Sequence, residues 1–261
     1  MCGNMLATDR KDYILASIKR VGTVTVRQLA LQLHVTEVTI RRDLEEMEAQ
    51  GLLERVHGGA RRLEKKGILS FSSEYKMMDR LQFHYPQKEA ICKKAASMIE
   101  DGDCVFIDGG TSLLPILPYI ASKRIKIVTH NILIQQAFES TEAELFCLGG
   151  RMVPDYKMTV GPIAMKALDA FNFDLTLIGC AGINMHTQTV YTAEMDTMII
   201  KQKAMQNSHK SYLLVDSSKT NVKGFCNFTS FSSFDGILID ENLQTNEYPA
   251  NFILVPTKDT L

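Results

Sequence analysis

The sequence predicts an α/β chain in two parts: a small N-terminal module of three helices with a β wing, then a larger domain built on a mostly parallel sheet. Three observations lead there. Apolar residues recur at helical spacing in three short blocks before residue 50. A Gly-Gly pair then sits between alternating apolar and polar residues, and from residue 88 onward short apolar runs alternate with amphipathic stretches. At 261 residues the chain also exceeds the usual size of one domain.

The first block, DRKDYILASIKRVG, places Tyr13, Ile14, Ile18 and Val21 on one helical face and stops at Gly22. In TVTVRQLALQLHV, Thr25 is the expected N-cap of a second helix, with Leu29, Ala30 and Leu33 inside and an end near His34. Thr36 caps a third, in which Ile40, Leu44 and Met47 recur at i, i+4, i+7 and Gly51 ends the run. LLERVHGGARRL then alternates about its glycines as a short hairpin. A tight turn between the second and third helices, followed by a wing, makes a winged helix-turn-helix over residues 8–63, with the helix-turn-helix itself near 24–43. A generic three-helix bundle is the competing reading, and charge placement decides against it.

Residues 1–66 hold 12 Lys/Arg against 9 Asp/Glu and the remainder 17 against 21, so the mild excess of positive charge lies in the N-terminal part and suits an anionic partner. Yet the third helix, VTEVTIRRDLEEMEAQG, holds more acid than base. Position along its axis resolves the conflict, because a helix advances ~1.5 Å per residue. If its first turns enter a major groove, Thr36, Glu37, Val38, Thr39, Arg41 and Arg42 lie near double-stranded DNA, while Glu45, Glu46 and Glu48 stay one or two turns away. Arg41 or Arg42 is suited to fork onto guanine, and Thr36 or Thr39 to hold phosphate. Glu37 is either an acceptor for cytosine N4 or a first-turn acid favoured by the helix dipole. The i, i+4 pairs Glu37–Arg41 and Arg41–Glu45 are expected to orient the guanidinium. Thr25 joins this candidate DNA-binding set at the start of the second helix.

Residues 9–62 resemble the DNA-binding domain of the DeoR-type bacterial transcription regulators. The resemblance rests on VTEVTIRRDL followed by GLLERVHGGA, an ordered match to that family's pattern. It implies an operator-binding domain in which Arg41 and Arg42 meet DNA and the wing around His57, Gly58 and Gly59 lies along the backbone.

Residues 64–87 have mixed charge and no sustained periodicity, and read as a linker. The larger domain spans 88–261. Its amphipathic helix KEAICKKAASMIEDG leads into the strand CVFID, the turn GGTS and a further apolar run in which Pro118 should bend the helix. Strand-like and helix-like segments then alternate through IKIVTH, ELFCLGG, DLTLIGC, SYLLVD, GILID and FILV, so about six mostly parallel strands covered on both faces are expected.

Open α/β sheets bind ligands just beyond their strand ends, and polar residues gather there. Asp108, Gly109, Gly110, Thr111 and Ser112 follow the first strand, where glycines would let backbone amides approach a phosphate. Thr129, His130 and Asn131, Gly149, Gly150 and Arg151, Gly179 and Gly182, and Asp216 to Lys219 follow later strands; Arg151 and Lys219 are cations suited to a phosphate. The turn lacks the lysine of a P-loop and the spacing of a dinucleotide fingerprint, so ATP and NAD are disfavoured and no cofactor is expected.

These segments extend the resemblance over nearly the whole chain. GDCVFIDGGTS, KIVTHN, FCLGGR, LIGCAGI and LLVDSSK look like the ordered motifs of the DeoR-type sensor domain, which is similar in fold to sugar-phosphate isomerases and deaminases. The resemblance implies a phosphorylated sugar effector bound chiefly through Asp108 to Ser112, Thr129 to Asn131, Gly149 to Arg151 and Lys219. It also suggests a homodimer or homotetramer, as paired half-sites require. Ser112 stands where a second threonine is common, His130 where asparagine is usual, and Gln87 where a glutamate commonly precedes Lys88.

The expected function is a regulator, a repressor of sugar metabolism whose grip on DNA a sugar phosphate controls. The alternative is an isomerase or deaminase with an appended DNA-binding domain. Isomerisation needs a positioned carboxylate base, and the loop over residues 175–193 contains no Asp or Glu. The six cysteines stand far apart, with no C-x-x-C and no zinc-like spacing, so buried free thiols are expected and no metal. The N-terminus lacks an apolar leader core and no apolar run approaches the ~18 residues of a membrane span, so a cytoplasmic protein with no membrane partner is expected.

Overall fold

A computed structural model describes residues 7–49, 52–56, 58–61, 80–81, 83–140, 142–241 and 248–257. The chain divides into two compact units, Met1–Gly67 and Ile68–Leu261.

The N-terminal unit holds helices α1 (Ala7–Val21), α2 (Val26–Leu33) and α3 (Glu37–Ala49). Their shared core is Ile14, Ile18, Leu29, Leu33, Ile40, Leu44 and Met47, the residues whose spacing marked the helices. Val21 is an exception at 60% exposed, because α1 ends there and Gly22 turns the chain away with φ 79°. The Thr25 hydroxyl accepts from the Gln28 N–H at 3.2 Å and the Thr36 hydroxyl from the Thr39 N–H at 3.2 Å, so each caps the helix that follows. Such a cap is worth about 1 kcal/mol. His34, in the left-handed region at φ 53°, closes α2 and makes the tight turn.

The wing has a strand that local patterning does not reveal. Strands β1 (Thr23–Thr25), β2 (Glu54–Val56) and β3 (Gly59–Arg61) form an antiparallel sheet in the order β1-β3-β2. A Cβ on Gly59 would lie 2.1 Å from the Val24 carbonyl oxygen, so glycine is what allows β1 and β3 to close. The expected stop at Gly51 and the wing residue His57 lie outside the described residues.

In the larger unit, seven strands form a wholly parallel sheet: β4 (Cys104–Ile107), β5 (Lys126–Thr129), β6 (Glu144–Cys147), β9 (Phe173–Ile178), β12 (Ser208–Leu214), β14 (Gly236–Asp240) and β15 (Phe252–Val255). Their order is β15-β14-β12-β9-β4-β5-β6; each of the seven apolar runs is one of these strands, against the expected count of about six. Side-chain alternation divides the core: Val105, Ile107, Ile127 and Leu214 pack on one face, Phe106, Val128, Leu213 and Ile237 on the other. Helix α4 (Tyr85–Ala96) covers the first face; α7 (Pro162–Leu168) and α8 (Met195–Gln206) cover the second. After β4, Pro115 and Pro118 split the expected helix into a 3-10 turn, Leu114–Ile116, and one α turn, α5 (Leu117–Ile120). A short α6 (Ile132–Ala137) follows β5.

Two smaller sheets were not anticipated. β7 (Arg151–Val153) and β8 (Met158–Val160) form a hairpin, and β10 (Gly182–Asn184), β11 (Thr189–Thr192) and β13 (Cys226–Ser230) an antiparallel sheet. The chain runs from β4 outward to β6, then returns to β9 on the other side of β4. The β4–β9 junction is therefore the topological switch point, where open sheets leave a crevice.

Candidate functional site

In the N-terminal unit, α3 presents Val38 at 74% exposed with the Arg41 and Arg42 side chains 60% and 79% exposed. Thr36 and Glu37 are exposed beside them and Thr39 is half-buried. The Arg41 guanidinium bonds Glu37 at 3.2 Å, as the spacing suggested, but Glu45 does not share it. Glu45 reaches the wing instead, 2.9 Å from the Arg55 guanidinium, while Glu48 accepts from the Arg55 N–H at 2.9 Å. Arg42 pairs with Glu46, which also holds Lys11 at 2.7 Å. The hydrogen bond from Lys11, with that from Arg42 behind it, keeps the Glu46 carboxyl below its ordinary pKa. The acids in the second half of α3 thus fasten the wing and α1 to this helix. Asp43 points inward, where the Arg10 guanidinium straddles its two oxygens at 2.5 and 3.0 Å. Gly58 is exposed at the wing turn with φ 79°, whereas Gly59 is buried against β1, a strand-closing role rather than a surface one.

In the larger unit, a cleft opens over the switch point. Gly109, Gly110, Ser112, Gly179 and Lys219 line it together with Lys201, Tyr156, Met158, Thr192 and Thr197. The turn after β4 is its floor. Gly110 has φ 105°, and the backbone N–H groups of Gly110, Thr111 and Ser112 donate no hydrogen bond to any described residue. Thr111 and Ser112 are buried and Gly110 is half-buried, so a protein acceptor or a ligand is needed to satisfy amides that leave water. Consecutive unpaired N–H groups on such a turn form a concavity suited to an anion. The Lys219 ammonium closes it, bonding Ser112 Oγ at 2.9 Å and the Cys180 carbonyl at 3.1 Å.

Several residues expected in the site shape it from behind. Asp108 is fully buried and accepts from the Gly179 N–H at 2.9 Å and from Lys201. Burial pushes the Asp108 pKa upward, but the Lys201 charge and the contact with His130 outweigh it and hold the carboxyl below its usual range. His130 Nδ1 faces the Thr159 carbonyl at 3.0 Å, which can only accept, so that nitrogen carries a proton; Nε2 lies 3.1 Å from Asp108 Oδ1 and 3.0 Å from the Gly109 nitrogen. Asn131 caps α6 through Leu133 and donates to the Asp108 and Gly110 carbonyls at 3.3 and 3.0 Å, holding the turn open. The Thr129 hydroxyl donates to the Ile107 carbonyl at 2.6 Å. Met158 lies over the floor, since a Cβ on Gly109 would meet its sulfur at 2.3 Å.

Gly149, Gly150 and Arg151 do not join this group. All three are exposed, and Arg151 pairs with Asp196 at the start of α8. Thr111 is not among the residues that line the cleft; its hydroxyl donates to the Arg80 carbonyl at 3.4 Å, and the residue also borders a recess with Leu81, Tyr85, Leu114 and Pro115.

Two buried lysines were missed. Lys201 is 4% exposed and reaches Asp108 and, at 3.1 Å, the Gly179 carbonyl; Lys88, also 4% exposed, lies 2.5 Å from the Arg80 carbonyl and 3.4 Å from Thr111 Oγ1. A readable signal existed for both. Thr197, Ile200, Lys201 and Ala204 share the inner stripe of α8, as Lys88, Ile91, Cys92 and Ala95 share that of α4, and a lysine on an apolar stripe needs a reason to be there.

Residues 10–66 match the DeoR-like helix-turn-helix domain, and residues 83–241 match the DeoR C terminal sensor domain. The chain belongs to the DeoR family. It is accordingly a DNA-binding transcription regulator. It is 32% identical over 235 residues to the uncharacterized HTH-type transcriptional regulator FruR of Bacillus subtilis, covering 89% of this chain and 88% of that one. It is 29% identical over 242 residues to the lactose phosphotransferase system repressor of Staphylococcus epidermidis, covering 90% and 92%. Among solved structures, a ribose 5-phosphate isomerase from Plasmodium falciparum aligns with 53% of this chain and 54% of its own at 14% identity and TM-score 0.37, too distant to bear on activity. No helix among the described residues is long and apolar enough to cross a membrane.

Proposed function

We propose that this DeoR-family regulator is a repressor of a sugar-metabolism operon, and that a phosphorylated sugar in the β4–β9 cleft controls its hold on operator DNA. The observation that carries the effector class is the set of unpaired amides at Gly110, Thr111 and Ser112 with the Lys219 ammonium beside them. Fixed N–H groups around a cation suit a phosphate. Names of relatives that include a lactose phosphotransferase system repressor agree with a sugar theme.

Within this reading Gly110, Ser112, Lys201 and Lys219 contact the effector, while Asp108, Thr129, His130 and Asn131 position the turn. Arg41, Arg42, Thr36 and Thr39 meet DNA, with Gly58 at the wing. Binding without turnover is the expected behaviour, because no Asp or Glu among the described residues lines the cleft and the Asp108 carboxylate is already engaged by its donors. A homodimer or homotetramer would present paired reading heads, and sedimentation that finds only monomer with and without operator would remove that part of the proposal. The effector reading is tested by melting the protein with a panel of sugar phosphates and their unphosphorylated parents, since a ligand of the native state raises its melting temperature. A shift confined to phosphorylated members supports it, provided the same samples show no conversion. Equal shifts from the parent sugars, or sustained turnover, would overturn it.

A further inference from the structure

Three ammonium groups surround the turn after β4, and two are compensated. Lys201 is paired with Asp108, and Lys219 lies 3.8 Å from Asp216. Lys88 has no carboxylate within ion-pair distance among the described residues. Its partners are the neutral Arg80 carbonyl and Thr111 Oγ1. A buried ammonium with only neutral partners is costly in a finished interior, and it faces the same turn as the unpaired amides.

We infer that Lys88 supplies the positive charge that matches the second negative charge of a bound phosphate group, so that the cleft takes phosphate as the dianion and binding is linked to a proton on Lys88. This rests on the phosphate reading above and deepens it. The charged and titratable groups facing Lys88 are Lys219 and Arg80, which disfavour its charge, Asp216, which favours it, and the Cys92 thiol one turn along α4. Burial raises the Cys92 pKa and keeps that thiol neutral. Burial of Lys88, reinforced by Lys219, lowers its own pKa to about 8 in the empty site. A dianion on the turn reverses that balance and returns the proton. Sulfate monoesters, which share the shape but carry one charge, are discriminated against.

The probe is inorganic phosphate, which is largely dianionic at pH 8.5, titrated calorimetrically into the full chain in buffers of different ionisation enthalpy. With the value near 8 in the ligand-free protein, binding at pH 8.5 takes up roughly three-quarters of a proton per site, and affinity falls about fourfold from pH 7 to 9, the roughly tenfold loss of protonated Lys88 being offset in part by the rising fraction of phosphate dianion. Lys88→Arg keeps its charge throughout, so it binds phosphate with no uptake at pH 8.5 and a flatter pH profile. Lys88→Met removes the buried charge, so it also takes up no proton and binds more weakly than the parent at pH 7. Phosphate binding at pH 8.5 without proton uptake, or uptake that persists in both variants, overturns the inference and leaves the phosphate site standing. No phosphate binding at either pH overturns both.

Discussion

In the N-terminal unit the cations proposed to meet DNA stand in solvent, with the Arg41 and Arg42 side chains 60% and 79% exposed, whereas in the sensor unit Lys88 and Lys201 are each 4% exposed. The carboxylates beside these cations follow the same division, Glu37 and Glu46 in exposed i, i+4 pairs and Asp108 and Asp216 sealed in the interior, although the N-terminal unit also buries Asp43 against Arg10 and the sensor unit carries exposed pairs such as Arg151–Asp196. Exposure suits a long polyanion that approaches as a surface and displaces its own counterions. Burial suits one small anion that must be surrounded. The same chemical inventory therefore makes a removable contact in one unit and a structural element in the other, and substitutions should separate the two.

The largest effect is expected inside the sensor unit. Asp108→Ala strands Lys201 and His130 in the interior and should cost about 3–5 kcal/mol in denaturant unfolding, the range for removing one partner of a buried pair. A loss below 1 kcal/mol would mean these groups behave as surface charges. The same carboxylate gives a pH signature. Because its folded pKa lies below the unfolded one, as does that of Asp216, each contributes stability that is present above the ordinary carboxylate range and lost as pH falls through the folded value. Acid unfolding of the sensor unit should therefore shift upward in pH in any variant that weakens the Lys201–Asp108 pair.

At the exposed end, Arg42→Ala, and likewise Arg41→Ala, should weaken operator binding by about 1–3 kcal/mol if that arginine reads a base, with the unfolding curve unchanged. Unaltered binding in both variants would move the reading surface off this helix. The smallest effect is assigned to Thr36→Ala. Losing the cap of α3 should cost about 1 kcal/mol of N-terminal stability, seen in hydrogen exchange of the first helical turn.

What could be read from residues alone follows from how far apart the interacting partners lie in sequence. The caps at Thr25 and Thr36, the apolar faces of α2 and α3 and the strands of the main sheet are local patterns, and all are present. β1 was missed because three residues become a strand only by pairing with residues 59–61, and β10 with β11 and β13 for the same reason. Glu45 was assigned to Arg41 by helical spacing, yet the wing brings Arg55 closer, a tertiary choice that spacing does not encode. The polar residues after β4 and β5 do converge, but most of them hold the turn rather than line it. Arg151 looked like a phosphate ligand because it follows a Gly-Gly pair, until Asp196, 45 residues later, takes it. Lys88 and Lys201 were legible as lysines on apolar stripes, a signal easily passed over because lysine is so often a surface residue.

The measurement that reaches both units at once is the affinity of the protein for a duplex it has selected from a random pool, followed by fluorescence anisotropy as a sugar phosphate that raises the melting temperature is added. The affinity should change with the phosphorylated sugar and stay constant with its unphosphorylated parent, and Lys219→Ala should blunt the response. An affinity indifferent to the sugar phosphate, or equally responsive to the parent sugar, would contradict control of the exposed arginines by a buried phosphate site.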